Sequence, residues 1–207
     1  PVVTVIENVS LAEAQLLMLK NNVSHLCVTK DGTSKSVVKG IISEHDLIVA
    51  QASNPGVLIK EVKRSQLPKD LRQIRDRLSD LIQNSIQKNV PLSHIANIAG
   101  EINLAIIKRA VELSILDLGS PPARFVWLSI GSQGRKEQLL LTDQDSILIF
   151  EDVTPDKYRE TKDYFLRLAK RTTSILEKVG YDYCPNGHMA SNMLWCKSLT
   201  DWTKQYN

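Results

Sequence analysis

The feature that most constrains the fold is the segment from Arg124 to Phe150, in which two apolar runs flank a polar turn. The runs 125–130 and 147–150 are rich in aromatic and β-branched residues, which is typical of strands. Between them, Gly131 permits a sharp turn that brings backbone N–H groups close to a ligand. Ser132 adds a hydroxyl donor, and a helix that starts here presents the free N–H groups and positive dipole end that suit phosphate. The segment therefore predicts a strand, a turn, a short helix and a second strand around an anion site.

Two aspartates, Asp143 and Asp145, stand two positions apart at the start of the second predicted strand. Alternate side chains of a strand point to the same face, with Cα atoms about 6.6 Å apart. Two carboxylates that close repel each other unless a cation lies between them. Hard oxygen ligands select Mg²⁺ or Mn²⁺ rather than zinc. An anion site beside a carboxylate pair predicts metal-assisted transfer of a phosphate-bearing group.

The order of these residues resembles the signature of the polymerase-beta-type nucleotidyltransferases, and among them the signal-transduction nucleotidyltransferases related to the PII uridylyltransferases. The residues that carry the resemblance are Gly131-Ser132, Arg135, Glu137 and Thr142-Asp143-Gln144-Asp145. The resemblance implies that Gly131, Ser132 and Arg135 hold the triphosphate of an NTP. It also implies that Asp143 and Asp145 are catalytic and bind two Mg²⁺ (or Mn²⁺) ions. The expected reaction transfers a nucleoside monophosphate to an acceptor hydroxyl, which by analogy belongs to a protein.

Members of this superfamily commonly use a third carboxylate on a later strand. Asp182 and Asp201 are candidates by position only, and we expect the natural chain to continue beyond Asn207. Glu137 is expected to orient the turn through Arg135 rather than to react. Each of these features, taken singly, also occurs in ordinary loops. The alternative interpretation is therefore a non-catalytic, adenylate-sensing regulatory protein with a degenerate transferase domain.

Composition limits the classes of partner. A chain of 207 residues with 43% hydrophobic residues can build one large or two small cores. A net charge of +3 is too small to predict a specific nucleic-acid partner. The three cysteines, Cys27, Cys184 and Cys196, are widely separated and predict neither a disulfide framework nor a zinc spacing. With no apolar run of membrane-spanning length, these observations predict a cytoplasmic protein with no membrane partner.

Residues 1–66 are predicted to form a β-α-β-β-α module. Strands are predicted at 2–6, 24–29 and 37–42, and helices after Ser10-x-x-Glu13 and Ser43-x-x-Asp46. This order, closed by the segment 40–46, resembles one cystathionine-beta-synthase (CBS) motif. The resemblance implies that Ser43 and Asp46 bind the ribose of an adenine nucleotide. A plain helix cap explains the same two residues, and both interpretations can hold at once. Because CBS motifs work in pairs, we expect a preceding motif or a homodimer.

The remaining chain is predicted to be a helical connector at 67–119 and a nucleotidyltransferase core at 120–207, which makes the whole chain α+β. Two amphipathic helices are expected at 69–88 and 92–118, with the charges Arg72, Arg75, Asp76 and Arg77 on a solvated face. A helix from Pro155 to Gly180 and a third strand at 181–184 follow. The polar loop 185–192 resembles a Cys-Pro-Gly-Gly-x-Met-Ala-x-Asn stretch of the relatives. Asn186 replaces its first glycine and is expected to tolerate left-handed backbone. His188 is a candidate base or nucleotide contact, although a histidine in a loop is more often neither.

Overall fold

The computed structural model describes residues 2–52, 54–140 and 143–206. The chain divides into two compact units, Pro1–Val57 and Leu58–Asn207. Each unit combines helices with a three-stranded sheet within the described residues, which confirms the predicted α+β class. The expected borders at residues 66 and 119 stay predictions. In the part of the chain that the structure describes, no helix is long and apolar enough to cross a membrane.

The first unit follows the predicted β-α-β-β-α order. Its elements are β1 (Thr4–Val5), α1 (Leu11–Asn21), β2 (His25–Thr29), β3 (Val38–Ser43) and α2 (Glu44–Ala52). Strand β2 lies in the middle, parallel to β1 and antiparallel to β3. Helix α1 begins where the Ser10 hydroxyl accepts a hydrogen bond from the Glu13 N–H at 3.2 Å, as the capping box predicts. The core is small and consists of Val5, Ala14, Met18, Leu26 and Leu47.

The second unit holds the polar turn. The remaining elements are α3 (Pro55–Arg64), α4 (Pro68–Gln87), α5 (Leu92–Leu118), β4 (Phe125–Ser129), α6 (Gly131–Gly134), β5 (Ser146–Phe150), α7 (Pro155–Val179), β6 (Cys196–Ser198) and α8 (Leu199–Tyr206). Helices α4, α5 and α7 pack against one another. They share one apolar core that includes Leu71, Leu78, Ile102, Ile106 and Leu176. Helix α3, which the sequence analysis did not predict, adds the buried Leu58 and Val62 to this core.

Arg75 is not on a solvated face, and this part of the prediction was wrong. Only 7% of the residue is exposed. Its guanidinium donates hydrogen bonds to the carbonyls of Gly180 at 3.1 Å and Leu140 at 3.4 Å. The physical reason is the helical period, since position 75 follows Leu71 by four residues and precedes Leu78 by three, on the stripe that faces α7. Arg72 and Asp76 are exposed as expected.

The second sheet has the order β4-β5-β6, with β4 antiparallel and β6 parallel to β5. Leu148 and Phe150 of β5 pack on Phe165 of α7. The predicted third strand at 181–184 was wrong, because only Asp182 pairs there, in a single bridge with Asp143. Pro185 has no N–H with which to extend such a strand, and Gly187 adopts φ +69°. The third strand is instead β6, which begins eleven residues after Pro185.

Candidate active site

The polar turn is a single helical turn, α6, that follows β4 directly. Gly131 has φ +59°, and a Cβ at this position would lie 3.0 Å from Cγ and 3.2 Å from Cβ of Asp145. Gly134, which the sequence analysis did not single out, is equally confined, because a Cβ there would lie 2.9 Å from the Ser129 carbonyl oxygen. Both glycines are therefore required by close approach, and the one at 131 places the turn directly against the Asp145 carboxylate.

Asp143 and Asp145 lie in the extended segment just before β5, so they precede the regular strand rather than open it. Burial alternates along this segment: the two aspartates are half-buried, whereas Gln144 and Ser146 are buried. The alternation places both aspartates on one face, as their spacing predicts. The Ile130 N–H donates to the Asp145 carbonyl at 3.1 Å, which joins the turn to this segment. Thr142, which precedes Asp143 in the predicted motif, lies outside the described residues.

Amide side chains hold the two aspartates in place. The Gln138 side chain donates to the Asp143 carbonyl at 3.0 Å, and the Gln144 side chain donates to the Tyr181 carbonyl at 2.9 Å. Gln133 of α6 donates to the Gly100 carbonyl of α5 at 3.3 Å. The turn is thus fastened to the long helix behind it. Hydrogen bonds to rigid elements fix the positions of the site residues better than loop contacts alone.

The Asp145 carboxylate has one oxygen that suits a cation. Its Oδ1 is buried and has no hydrogen-bond partner among the described residues. Asp145 also lines a small cavity of about 10 Å³ together with Trp127, Gln133 and Tyr181. A buried carboxylate oxygen without a donor is unfavourable unless a cation or another donor compensates it. This orphaned oxygen is the local observation that fits a divalent ion.

Two aspartates were candidates for a third carboxylate, and the structure separates them. Asp182 is the Cα partner of Asp143 in a parallel bridge, so the two side chains start about 4.8 Å apart on the same face. Asp201 instead accepts a hydrogen bond from the Tyr158 hydroxyl. Burial and this bond raise the pKa of Tyr158 to about 12. Asp182 therefore lies beside Asp143, whereas Asp201 is hydrogen-bonded to Tyr158 of α7.

Two residues of the loop after α7, Cys184 and His188, also reach the site. The ligand atoms of Asp145, Cys184 and His188 all lie within 4.8 Å of one another. The His188 carbonyl accepts from the Ser146 N–H at 2.9 Å, which ties the loop to β5. Burial and the hydrogen bond to Asp145 raise the pKa of the Cys184 thiol. Left-handed backbone in this loop falls on Gly187, so Asn186 does not need to adopt it.

The residues expected to hold triphosphate border the same turn. Ser132 is half-buried, and its carbonyl accepts from the Glu137 N–H at 2.9 Å. Arg135 is largely exposed, and its Nε donates to Glu137 at 2.8 Å. This ion pair is the contact through which Glu137 was expected to act. The guanidinium is exposed to solvent, so an anion can reach it.

In the first unit, Ser43 and Asp46 form a reciprocal helix cap. The Ser43 hydroxyl accepts from the Asp46 N–H at 3.1 Å, and Asp46 Oδ2 accepts from the Ser43 N–H at 2.8 Å and hydroxyl at 2.7 Å. The hydrogen bonds from the Ser43 side chain and backbone hold the pKa of Asp46 below its ordinary value. The plain cap is therefore present at the start of α2, and adenylate binding by these residues stays a prediction.

Comparison with known families identifies the second unit. The model of a family described as "Putative nucleotidyltransferase DUF294" matches residues 76–207, more than half of the chain. The chain belongs to the DUF294 family. A CBS domain model matches residues 1–53, so the chain also carries a CBS domain. No curated protein and no solved structure matches the chain.

The DUF294 match confirms the resemblance to nucleotidyltransferases that the turn and the two aspartates predicted. It covers the turn, Asp143, Asp145, the bridge at Asp182 and the loop from Cys184 to Asn192. A relation to the PII uridylyltransferases stays a prediction. In the DUF294 domain, the turn at Gly131 lies directly against the Asp145 carboxylate. A helical turn beside a carboxylate is suited to binding a polyphosphate together with hard divalent ions.

Proposed function

We propose that the DUF294 domain transfers a nucleoside monophosphate from an NTP to an acceptor hydroxyl, with pyrophosphate leaving. Gly131, Ser132 and Arg135 bind the triphosphate through the turn's N–H groups, a hydroxyl and a guanidinium. Asp143 and Asp145 would hold two Mg²⁺ (or Mn²⁺) ions, which supply positive charge to the α-phosphate and the leaving oxygens when bound. The acceptor is a protein side chain by analogy with the PII uridylyltransferases.

One observation carries this proposal more than any other. The space that a Cβ would occupy on Gly131 is filled by the carboxylate of Asp145. A metal ion that bridges a phosphate and a carboxylate must touch both of them. The turn that binds the phosphate must therefore lie next to the carboxylate that binds the metal, as Gly131 lies next to Asp145. The unpartnered Asp145 Oδ1 points to the same conclusion.

The test is incorporation of label from an α-phosphate-labelled NTP, in the presence of Mg²⁺ and a cell extract as the source of acceptor. Asp143→Asn removes one carboxylate charge and should lower incorporation by roughly 10²–10³-fold. Asp80→Asn is a matched control, because Asp80 is an exposed aspartate of α4. Equal incorporation by wild type and Asp143→Asn would contradict the proposed role of the pair.

We further propose that Asp182 supplies the third carboxylate. The support for this role is the parallel bridge that sets Asp182 beside Asp143. Asp182→Asn should lower the rate of transfer more than the affinity for NTP, since a group near the attacking hydroxyl acts mainly in the transition state. Asp201→Asn should leave transfer unchanged, and the reverse pattern would assign the role to Asp201.

The CBS domain is proposed to bind an adenine nucleotide at Ser43 and Asp46 and thereby to regulate transfer. Calorimetric titration with AMP and ATP in the absence of metal tests this site separately from the transferase site. Ser43→Ala and Asp46→Ala should each weaken binding. Equal binding by these variants and by wild type would leave the two residues as a helix cap only.

A homodimer is proposed to complete the CBS pair. Ile41 of the edge strand β3 is 67% exposed and Val2 beside β1 is 71% exposed, which leaves apolar surface on this sheet. Ile41→Lys should shift the wild-type protein from dimer to monomer in sedimentation velocity. A wild-type protein that sediments as a monomer at high concentration would contradict the pairing.

The second candidate function is an adenylate sensor whose transferase domain is degenerate. The observation in its favour is that Asp201, one of two candidates for the third carboxylate, is engaged by Tyr158. The sensor predicts metal-independent binding of adenine nucleotide by wild type and no incorporation of label under any condition. Incorporation that Asp143→Asn abolishes decides for the transferase.

A further inference from the structure

We propose that Asp145, Cys184 and His188 form a binding site for a thiophilic divalent cation of the Zn²⁺ type, which shares Asp145 with the proposed Mg²⁺ pair. The sequence spacing of the cysteines gave no sign of such a site, because its ligands come from the segment before β5 and from the loop after α7. The fold, rather than a local motif, brings them together.

Geometry supports a three-ligand site. The carboxylate oxygen, the thiol sulfur and a ring nitrogen all lie within 4.8 Å of one another. A tetrahedral Zn²⁺ ion, at about 2.0–2.3 Å from each ligand, requires separations of about 3.3–3.8 Å. His188 is exposed, so its ring can close the difference by a side-chain rotation. The loop is already fixed at both ends of the site, by Gly187 N–H to the Cys184 carbonyl at 3.0 Å and by Ser146 N–H to the His188 carbonyl.

A second observation points to a ligand. Asp145 Oδ1 is buried and has no hydrogen-bond partner among the described residues. The set of one sulfur, one nitrogen and one oxygen donor is typical of zinc and differs from the oxygen-only donors that Mg²⁺ prefers. Three protein ligands leave the fourth position of a tetrahedral ion open to water or to a phosphate oxygen.

Binding of the ion exchanges one bond for another. The Cys184 S–H bond breaks, its proton passes to solvent, and the sulfur lone pair forms the metal–thiolate bond. His188 must be neutral and coordinate through one ring nitrogen. His188 at the exposed edge gives the ion a path from solvent, and buried Cys184 gives it the soft ligand.

The proposed Zn²⁺ site and the proposed Mg²⁺ pair share Asp145, so an effect of Zn²⁺ on transfer rests on the proposed function. A Zn²⁺ ion that occupies Asp145 competes with the Mg²⁺ pair, so Zn²⁺ should inhibit Mg²⁺-dependent transfer. Variants that lose the sulfur or the imidazole should resist this inhibition. Binding of the ion itself does not depend on transferase activity and can be measured without any nucleotide.

The test uses Co²⁺ as the probe, because it replaces Zn²⁺ and shows thiolate-to-metal charge transfer in the near ultraviolet. Titration of the full chain should produce this absorption with a single bound ion. Cys184→Ser should abolish the absorption, and His188→Ala should weaken Co²⁺ binding at least tenfold. Cys27→Ser and the exposed His94→Ala are matched controls that should bind like wild type.

Each result decides the proposal. No charge-transfer absorption in wild type, or unchanged absorption in Cys184→Ser, overturns it. If Cys184→Ser does not fold, the exposed His188→Ala variant decides through its Co²⁺ affinity, and an unchanged affinity overturns the site. Asp143→Asn separates the two proposals, because it should lose transfer yet retain the Co²⁺ spectrum. Loss of the spectrum in that variant would assign the ion to the aspartate pair instead.

Discussion

Substitution of Gly131 by alanine tests the contact on which the site is built. The residue has φ +59°, and its added Cβ would lie 3.0 Å from Cγ of Asp145. A non-glycine residue in this backbone region costs about 1–3 kcal/mol. Overpacking against the carboxylate adds about 1–3 kcal/mol, so the free energy of unfolding should fall by about 2–6 kcal/mol.

Activity should fall more steeply than stability suggests. Ordinary contact distances of about 3.5–4.0 Å require the Asp145 carboxylate to move by roughly 1 Å. A displacement of about 1 Å at a reacting centre can lower the rate by about 10²-fold. The assay is Mg²⁺-dependent incorporation of label from the NTP, together with urea unfolding of the same preparation.

Gly119→Ala is the matched control for the backbone. Gly119 has φ +87°, and a Cβ there would meet no atom within 4 Å. This variant should lose about 1–3 kcal/mol of stability through its backbone alone and keep its specific activity. Equal rates of transfer by Gly131→Ala and Gly119→Ala, once corrected for the folded fraction, would mean that the contact between Gly131 and Asp145 does not matter for catalysis.

Three further predictions concern groups outside the turn. Arg75→Met should lower the free energy of unfolding by about 2–4 kcal/mol, because two carbonyls lose a charged donor. Arg72→Met, at an exposed position, should change the free energy of unfolding by about 0.5 kcal/mol or less. Urea unfolding measures both variants. Tyr158→Phe should destabilise by about 1 kcal/mol through the lost bond to Asp201 and leave NTP binding unchanged by calorimetry. The pKa of Asp46 lies below its ordinary value of 3.8, so the ionised carboxylate stabilises the fold fully above that pH. This stabilisation is lost as the pH falls through the lower folded-state pKa, which gives the thermal midpoint an acid limb. Asp46→Asn should make this acid limb less steep.

Contradicting results are specific to each variant. Equal destabilisation by Arg75→Met and Arg72→Met would mean that the buried guanidinium contributes no more than an exposed one. Weaker NTP binding by Tyr158→Phe would place Asp201 at the site after all. An acid limb as steep in Asp46→Asn as in wild type would assign it to other carboxylates.

Local patterns predicted the elements that have strong end signals. Ser10 and Pro155 mark the starts of α1 and α7, and Gly180 follows the end of α7 with φ +104°. The spacing of Asp143 and Asp145 predicted their common face, because a two-residue period is a property of any extended chain. Such features depend only on nearby residues, which is why the sequence alone suffices for them.

Features that depend on distant residues were missed. Arg75 was assigned to solvent from its charge, although it occupies an apolar stripe and finds its carbonyl partners about 65 and 105 residues away in the chain. The segment 181–184 has strand-like composition, yet only Asp182 meets a partner, since β6 takes the neighbouring place on β5. Cys184 and His188 meet Asp145 only because the loop after α7 returns to β5.

The most direct test of the central claim is calorimetric titration of the chain with an NTP, with and without Mg²⁺, for wild type and for the double variant Asp143→Asn/Asp145→Asn. We predict tight binding by wild type that requires Mg²⁺, and loss of the metal-dependent part of the binding in the double variant. Binding that is equally strong without Mg²⁺, or equally metal-dependent after both carboxylate charges are removed, would contradict the claim that these aspartates and the glycine-serine turn form one metal–triphosphate site.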